Sequence, residues 1–125
     1  MYVICDTNIF IHLFKNDAAT IAVLEKIGTR NILMSAVAEM ELCRGARNQA
    51  ELKLILKNLD NYSIIDIDIK TCLVARNLVR EYHLSHGLQI PDALIAASAI
   101  AYQLPLFTYN TKDFRFIKKL ELHTY

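Results

Sequence analysis

The sequence contains few glycines, prolines and cysteines. Its 125 residues include only three glycines and two prolines, which are too few for a loop-rich all-β fold. The three cysteines, Cys5, Cys43 and Cys72, are odd in number, and each lies within an apolar stretch. We therefore expect no disulfide scaffold, but reduced and buried thiols in a cytosolic protein.

Extreme charge and long apolar runs are also lacking. The formal net charge is only +1, so the overall charge does not indicate a nucleic-acid binder, and any basic surface must be local. No apolar run approaches the roughly 20 residues of a membrane span, and the N-terminus lacks the basic start and cleavage site of a signal peptide. We therefore expect a cytoplasmic protein without a membrane segment.

What is present is the composition of a folded domain. Hydrophobic residues make up 54% and charged residues 22%, which fits one globular domain spanning residues 1–125. Four short apolar runs predict strands at residues 2–5, 31–34, 62–65 and 106–108, and residues 120–124 are a candidate edge strand.

Helical patterns fill the intervals between these strands, mostly in pairs. Residues 9–14 predict a short helix, a cap at Asp17 begins a second that ends at Gly28, and Ser35 caps a third that runs to about Gly45. A fourth helix carries Leu52, Ile55, Leu56 and Leu59 at helical spacing. A long fifth begins at Asp66 or Asp68 and ends before Gly87, with an apolar face of Cys72, Ala75, Val79 and Tyr82. Pro91 suits the first turn of the sixth, which covers residues 92–102, and residues 110–113 form a polar loop.

Strands that alternate with helices predict a three-layer α/β/α sandwich with a central, mostly parallel sheet. Residues 2–5 are apolar without a break, as expected for a strand buried on both faces in the middle of such a sheet. Asp6 would then stand at the carboxyl end of this strand, where open α/β sheets place their ligands.

Several carboxylates permit two interpretations each. Asp6 either caps the following helix or belongs to a site, and this stretch alone does not decide between them. Asp92 lies in the first turn of an apolar, alanine-rich helix. There its carboxylate is either stabilised by the helix dipole or, if other acids lie beside it, requires a cation. Asp113 by itself favours a turn residue. Glu39 and Glu41 are two residues apart on a helix, so at most one faces inward, and a helical glutamate taken alone favours solvent.

Taken together, the motifs resemble those of a known family. Asp6-Thr7-Asn8, Glu41-Leu42 before Arg44-Gly45, Pro91-Asp92-Ala93 and the stretch from Thr108 to Phe114 are similar, in order and separation, to four motifs of PIN-domain nucleases. The small size and the spacing resemble those of VapC toxins of toxin–antitoxin pairs. The resemblance covers essentially the whole chain and implies a PIN-like fold and an endoribonuclease that acts as the toxin of a type II pair.

The resemblance also implies roles for particular residues and partners. The catalytic and metal-binding acids of the family map onto Asp6, Glu41, Asp92 and Asp113, with Asp6 and Asp92 as the main ligands; its polar helpers map onto Thr7, Asn8, Thr108 and Asn110. Glu41 is preferred over Glu39 because Leu42 and Gly45 follow it. The implied partners are an RNA substrate, a second copy in a homodimer, and an antitoxin whose C-terminal segment blocks the acidic site. Residues 9–14 could help form the antitoxin groove or instead pack in the core.

The chemistry of an oxygen-only set of acids points to Mg²⁺ or Mn²⁺ rather than zinc. Mg²⁺ keeps several waters and usually takes one or two carboxylates plus a substrate phosphate. Such an ion can activate water and stabilise an in-line displacement at phosphorus, so no histidine base is required. His12, His83, His86 and His123 are scattered, and the only pair with helical ligand spacing, His83 and His86, is interpreted as structural. Arg44, Lys112 and Arg115, with Arg47, Lys118 and Lys119 nearby, either contact RNA phosphates or form ordinary solvated surface.

Two alternatives remain open from the sequence. A phosphoacceptor receiver domain also needs acids at strand ends, and Asp6, Asp66, Thr108 and Lys112 fit it superficially. Against it, Thr7 follows Asp6 where receivers carry a second acid, and helix pairs break the strict alternation of strand and helix. The other alternative is a PIN module that binds RNA or protein without catalysis.

Overall fold

The sheet consists of four parallel strands that lie in the order β3-β2-β1-β4. The structure is a computed structural model that describes all residues, 1–125. The strands are β1 (Val3–Cys5), β2 (Ile32–Ser35), β3 (Ser63–Ile65) and β4 (Leu106–Phe107). As predicted, β1 is buried throughout and lies in the interior of the sheet, because no polar residue interrupts it.

Six helices connect the strands in pairs. They are α1 (Thr7–Phe14), α2 (Ala18–Ile27), α3 (Ala36–Arg44), α4 (Gln49–Leu59), α5 (Ile69–His86) and α6 (Ile90–Tyr102). The predicted caps at Asp17 and Ser35 are confirmed, since each side chain accepts a backbone N–H of the first turn. Of the two candidates for α5, Asp68 is the cap, and its carboxylate accepts the Thr71 N–H at 2.8 Å.

Alternate residues of β1 face two separate apolar clusters, which makes the fold a three-layer α/β/α sandwich as predicted. Ile4 packs in the cluster built with α5 and α6, whereas Val3 and Cys5 pack in the cluster built with α1 to α4. This is the period-two alternation of a strand with both faces covered. No helix is long and apolar enough to cross a membrane.

The strand order creates a switch point between β1 and β4. From β1 the chain passes to β2 and β3 on one side of the sheet, and it returns on the other side to β4. Connections therefore leave the carboxyl ends of β1 and β4 in opposite directions, and a crevice forms there in open α/β sheets. Asp6 follows β1 and Thr108 follows β4, so both stand at this crevice.

Four local predictions need correction. The first helix begins at Thr7 rather than at residue 9, because Asp6 caps it. Residues 111–113 form a 3-10 turn within the predicted polar loop. The expected edge strand at 120–124 is reduced to a single parallel bridge between Leu106 and Leu122, since turns occupy the chain up to residue 119 and β4 has only two residues.

The remaining correction concerns the cysteines. Cys5 is buried as predicted, and burial raises the pKa of its thiol to about 12. Cys43 is only partly buried and Cys72 is exposed, contrary to prediction. Cys72 is exposed because the buried face of α5 starts one residue earlier, at Thr71, and continues through Ala75, Leu78 and Tyr82.

Candidate active site

Asp6 is both a helix cap and the centre of a polar cluster, so its two interpretations are not exclusive. Its carboxylate accepts the Thr7 backbone N–H at 2.8 Å, which caps α1. The other oxygen, Oδ2, accepts the Thr108 hydroxyl at 2.8 Å and the Asn8 side-chain amide at 3.3 Å. The residue is only 5% exposed, so these bonds fix the direction in which its charge points.

The polar helpers form one connected network around Asp6. The Asn8 amide donates to Thr108 Oγ1 at 3.3 Å as well as to Asp6, and Asn8 Oδ1 accepts the Tyr109 N–H at 3.3 Å. Thr108 Oγ1 also accepts the Asn110 backbone N–H at 3.0 Å. Asn110 thus contributes its backbone, while its side chain is exposed. Residues about a hundred positions apart are joined here because β1 and β4 are neighbours in the sheet.

Glu41, and not Glu39, faces this cluster. Thr7 Oγ1 donates to Glu41 Oε1 at 2.7 Å, which joins the start of α1 to α3. Glu39 lies toward Cys43 instead, where its charge adds to the effect of burial in raising the pKa of that thiol. The two glutamates therefore point different ways, as their spacing on a helix requires.

Asp92 and Asp113 complete the group. Asp92 lies in the first turn of α6 beside Pro91 and is partly buried. Asp113 ends the 3-10 turn after β4, where its N–H donates to the Asn110 carbonyl at 3.0 Å. Both side chains come from elements that begin or end at the carboxyl edge of the sheet.

The carboxylates influence one another electrostatically. Burial, together with three neighbouring carboxylates, raises the pKa of the Asp92 carboxyl from 3.8 to about 6. Those neighbours, in order of effect, are Asp6, Asp113 and Glu41. Burial also raises the pKa of the Asp6 carboxyl; hydrogen bonds from Thr108 and Thr7 oppose this rise, and the charges of Glu41 and Asp113 add to it. The four predicted acids are thus brought within electrostatic reach of one another.

No basic side chain neutralises this group. The ion-pair contacts of the structure are His12–Asp17 at 3.8 Å and Arg47–Glu51 at 2.8 Å, and neither includes any of the four acids. Arg44, Lys112 and Arg115, the predicted substrate-binding residues, are exposed and unpaired, whereas Arg47 is engaged by Glu51. The cluster therefore carries an excess of negative charge.

The donor set suits a hard cation, but it is not a closed cage. All four acids offer carboxylate oxygen, and no histidine or cysteine belongs to the group, a composition that fits Mg²⁺ or Mn²⁺. No three His, Cys, Asp or Glu side chains are arranged to hold an ion by themselves. An ion bound by one or two carboxylates that keeps several waters needs no such cage.

The histidines lie outside this group. His86 stacks on Phe116, with ring centroids 4.2 Å apart and planes 11° from parallel. This packing agrees with the structural role predicted for His86, whereas His83 is exposed.

The sequence interpretation missed a second network that supports the loop after β4. Thr20 is fully buried, and its hydroxyl donates to Asp17 Oδ2 at 2.5 Å. Tyr109 must then be the donor in its 2.6 Å bond to Thr20 Oγ1, because the single Thr20 proton is already used. Tyr109 lies between Thr108 and Asn110, so this bond anchors the loop of the site to α2. The position of Tyr109 within the motif from Thr108 to Phe114 was the sequence feature that could have indicated this network.

The receiver interpretation fails on the strand order. Asp66 follows β3, which is an edge strand, and β2 separates it from β1 and Asp6. In receiver-like sheets of order 2-1-3-4-5, the third strand is the neighbour of the first. Here β4 takes that place, and with it Thr108.

Comparisons with known proteins agree with this fold. Residues 3–120 match the PIN domain family. A 35-residue stretch is 54% identical to Ribonuclease VapC of Rickettsia bellii (strain RML369-C), and it covers 28% of this chain and 26% of that protein. The match thus spans about a quarter of the length of that curated relative.

Solved structures resemble the chain over nearly its whole length. A chain of a toxin–antitoxin complex from Klebsiella pneumoniae is 30% identical, with 94% of each chain covered and a TM-score of 0.80. A chain of VapBC2 from Rickettsia felis, solved bound to a DNA fragment from its promoter, is 29% identical, with coverage of 100% of this chain and 99% of that one and a TM-score of 0.85. With its sheet order, its acids at the switch point and these matches, this chain belongs to the PIN-domain family.

Proposed function

We propose that this protein is an Mg²⁺- or Mn²⁺-dependent endoribonuclease that cleaves RNA phosphodiester bonds, and that it is the toxin of a type II toxin–antitoxin pair. The observation that carries the proposal is the group of four acids at the sheet switch point, where burial and then the neighbouring carboxylates raise the pKa of Asp92 to about 6 and no basic side chain pairs with any of the acids. Such a group is costly in a folded protein unless a cation joins it.

In this proposal Asp6 and Asp92 are the main ligands of the ion, and Glu41 and Asp113 complete the site. When bound, Mg²⁺ or Mn²⁺ supplies positive charge that stabilises the transition state at phosphorus and lowers the pKa of the attacking water. Asp6 is the most firmly oriented of the proposed metal ligands because Thr108 and Asn8 donate hydrogen bonds to its Oδ2. Glu41 is held by the Thr7 hydroxyl, and its exposure leaves it accessible to water and substrate.

The remaining residues would act on the RNA backbone. Arg44 lies one turn beyond Glu41, and Lys112 and Arg115 flank Asp113, all three exposed and unpaired. Contacts from such side chains to phosphates contribute affinity and salt dependence, but no sequence preference.

An antitoxin protein and a second copy of the chain are the proposed protein partners. Support for the antitoxin comes from the similarity to chains of toxin–antitoxin and VapBC complexes. An antitoxin segment that covers the acids would need positive charge to match them. Residues 9–14, a candidate part of the antitoxin groove, include both core and surface residues. Ile9 and Phe10 are fully buried in the core, whereas Ile11 is 41% exposed.

The test is RNA cleavage by purified protein. Cleavage should require Mg²⁺ or Mn²⁺, stop in EDTA, and disappear in Asp6→Asn and Asp92→Asn variants that keep a folded circular dichroism spectrum. Cleavage that persists in EDTA and in both variants would contradict the proposal. A wild type that binds RNA but never cuts it, with any divalent ion, would favour the non-catalytic PIN module.

A further inference from the structure

A groove of about 450 Å³ lies between α5 and α6, outside the acidic site. Its floor is aliphatic and includes Ala75, Val79 and Leu94. Its charged lining consists only of Arg76 and Arg80, and no acidic side chain lines it. The groove is thus an apolar slot with positive charge on one wall.

The two arginines are not explained by the stability of α5. They are four residues apart, so they neighbour each other on one face of the helix, where like charges repel. Both are exposed, and neither takes part in an ion pair. Two adjacent, free guanidinium groups favour a partner that carries repeated negative charge.

The groove also reaches the first turn of α6, which carries Asp92. It ends at the start of α6, where Ile90, an apolar residue that is 66% exposed, precedes Asp92 by two positions. Ala93, the residue after Asp92, lines the groove as well. A strand whose phosphate lay at the acids could therefore continue into the slot.

From this arrangement we propose that the groove between α5 and α6 binds a single-stranded segment of RNA next to the bond that is cut. The inference rests on the function proposed above and names where the substrate lies. Unpaired bases have apolar faces that fit an aliphatic floor, and guanidinium groups both bind phosphates and stack on bases. A duplex would keep its bases from the slot.

A second copy of this chain is a poorer occupant. If two copies met symmetrically at this groove, Arg76 and Arg80 of both would approach a lining that contains no acid. Such a contact brings four positive charges together without compensation, which disfavours association. Charge complementarity therefore favours RNA over self-association.

The first experiment measures how binding depends on salt. The dissociation constant of a labelled single strand of about 12 nucleotides is determined by fluorescence anisotropy in EDTA, over a range of KCl concentrations. For single strands, each lost phosphate contact reduces the magnitude of the slope of the logarithm of the binding constant against the logarithm of the salt concentration by about 0.7. The double variant Arg76→Gln/Arg80→Gln should therefore lose about 1.4 from the slope. The matched control is Lys53→Gln/Lys57→Gln, two exposed cations at the same spacing on α4, which should leave the slope unchanged.

The second experiment uses a thiol in the groove. Cys72 lines the slot and is exposed, Cys5 is buried, and a Cys43→Ser substitution removes the partly buried third thiol. In this background, single-stranded RNA should slow alkylation of Cys72 by a maleimide. The protection should disappear with Arg76→Gln/Arg80→Gln and persist with the lysine control.

The outcomes separate this inference from the proposed function. If the wild type cuts RNA, but the wild type and the Arg76→Gln/Arg80→Gln variant show the same salt slope and the same rate of Cys72 alkylation in the presence of RNA, the inference about the groove is overturned. The proposed nuclease activity is then unaffected. A wild type that neither cuts nor binds RNA contradicts both. Protection of Cys72 that rises with protein concentration in the absence of RNA would identify a protein interface and overturn the inference.

Discussion

Replacing Asp92 by asparagine should stabilise the metal-free protein at neutral pH and flatten its pH dependence. The folded state raises the pKa of this carboxyl from 3.8 to about 6, so between these values the native protein binds more protons than the unfolded chain. The free energy of unfolding therefore falls as pH rises through this window, and the full cost remains above it. An asparagine side chain cannot ionise, so the Asp92→Asn variant lacks this contribution.

The size of the effect follows from the same pKa. One pKa unit corresponds to about 1.4 kcal/mol, so the rise to about 6 amounts to about 3 kcal/mol at full weight. Because Asp92 is only partly buried, solvent screening reduces this to about 1–2 kcal/mol. Loss of the favourable interaction between a carboxylate and the N-terminus of α6 removes about 0.3–1 kcal/mol of the gain. We expect a net stabilisation of about 1 kcal/mol at pH 7.

The assay is thermal melting in EDTA, followed by far-UV circular dichroism from about pH 4.5 to pH 8, a window that brackets the Asp92 pKa of about 6. A gain of about 1 kcal/mol raises the Tm of a domain of this size by about 3–6 °C. The difference between variant and wild type should be small at the acidic end and reach this value by pH 7. Asp66→Asn, at an exposed carboxylate after β3, is the matched control and should follow the wild type. Parallel curves for wild type and Asp92→Asn would refute the claim that the acids share one site.

Four further predictions test the site. Glu41→Gln should reduce the rate of RNA cleavage by at least about 10-fold and Glu39→Gln by less than about 2-fold, because only Glu41 faces the acids; the reverse order would remove Glu41 from the site. Thr108→Val should lower activity or metal affinity by about 10–100-fold, whereas Thr108→Ser, which keeps the hydroxyl bonded to Asp6, should retain most of both in a metal titration. Tyr109→Phe should lower the free energy of unfolding in urea by about 0.5–1.5 kcal/mol through the lost bond to Thr20, with exposed Tyr125→Phe as the neutral control. Mg²⁺ at about 100 times its Kd should stabilise the wild type by about 2.7 kcal/mol and Asp6→Asn by much less; equal Tm shifts in the two proteins would exclude Asp6 as a ligand.

The sequence could predict those parts of the fold that depend on neighbours along the chain. The caps at Asp17 and Ser35 and the buried β1 were predicted correctly because each is specified within a few residues. On α5, Ala75 and Tyr82 were predicted correctly, but Cys72 and Val79 were each one residue late, because the buried residues are Thr71 and Leu78 and only tertiary packing decides between such neighbours. Local pattern alone cannot make that distinction.

The candidate site divides in the same way. That Asp6 ends a central strand could be inferred from residues 2–5 alone, but its bond to Thr108 joins residues 102 positions apart and depends on β4 lying beside β1. Strand order is a property of the whole chain, so the resemblance to PIN-domain motifs supplied what local reasoning could not. The choice of Glu41 likewise depended on that resemblance, and the hydroxyl of Thr7 is the contact that distinguishes it from Glu39.

The absence of a basic residue among the four acids connects the stability of the protein to its proposed function. A lysine or arginine at the crevice would lower the pKa of Asp92 and stabilise the fold. It would also occupy the position where a divalent ion and a substrate phosphate must meet. The exposed, unpaired cations to which we assign RNA contacts instead lie outside the acids: Arg44 on α3, Lys112 and Arg115 after β4, and Arg76 and Arg80 on α5. There they can contact an anionic strand without neutralising Asp6 or Asp92. The same separation explains why removing one acid should strengthen the metal-free fold while it abolishes catalysis, since the charge that is unfavourable without an ion is the charge that binds it.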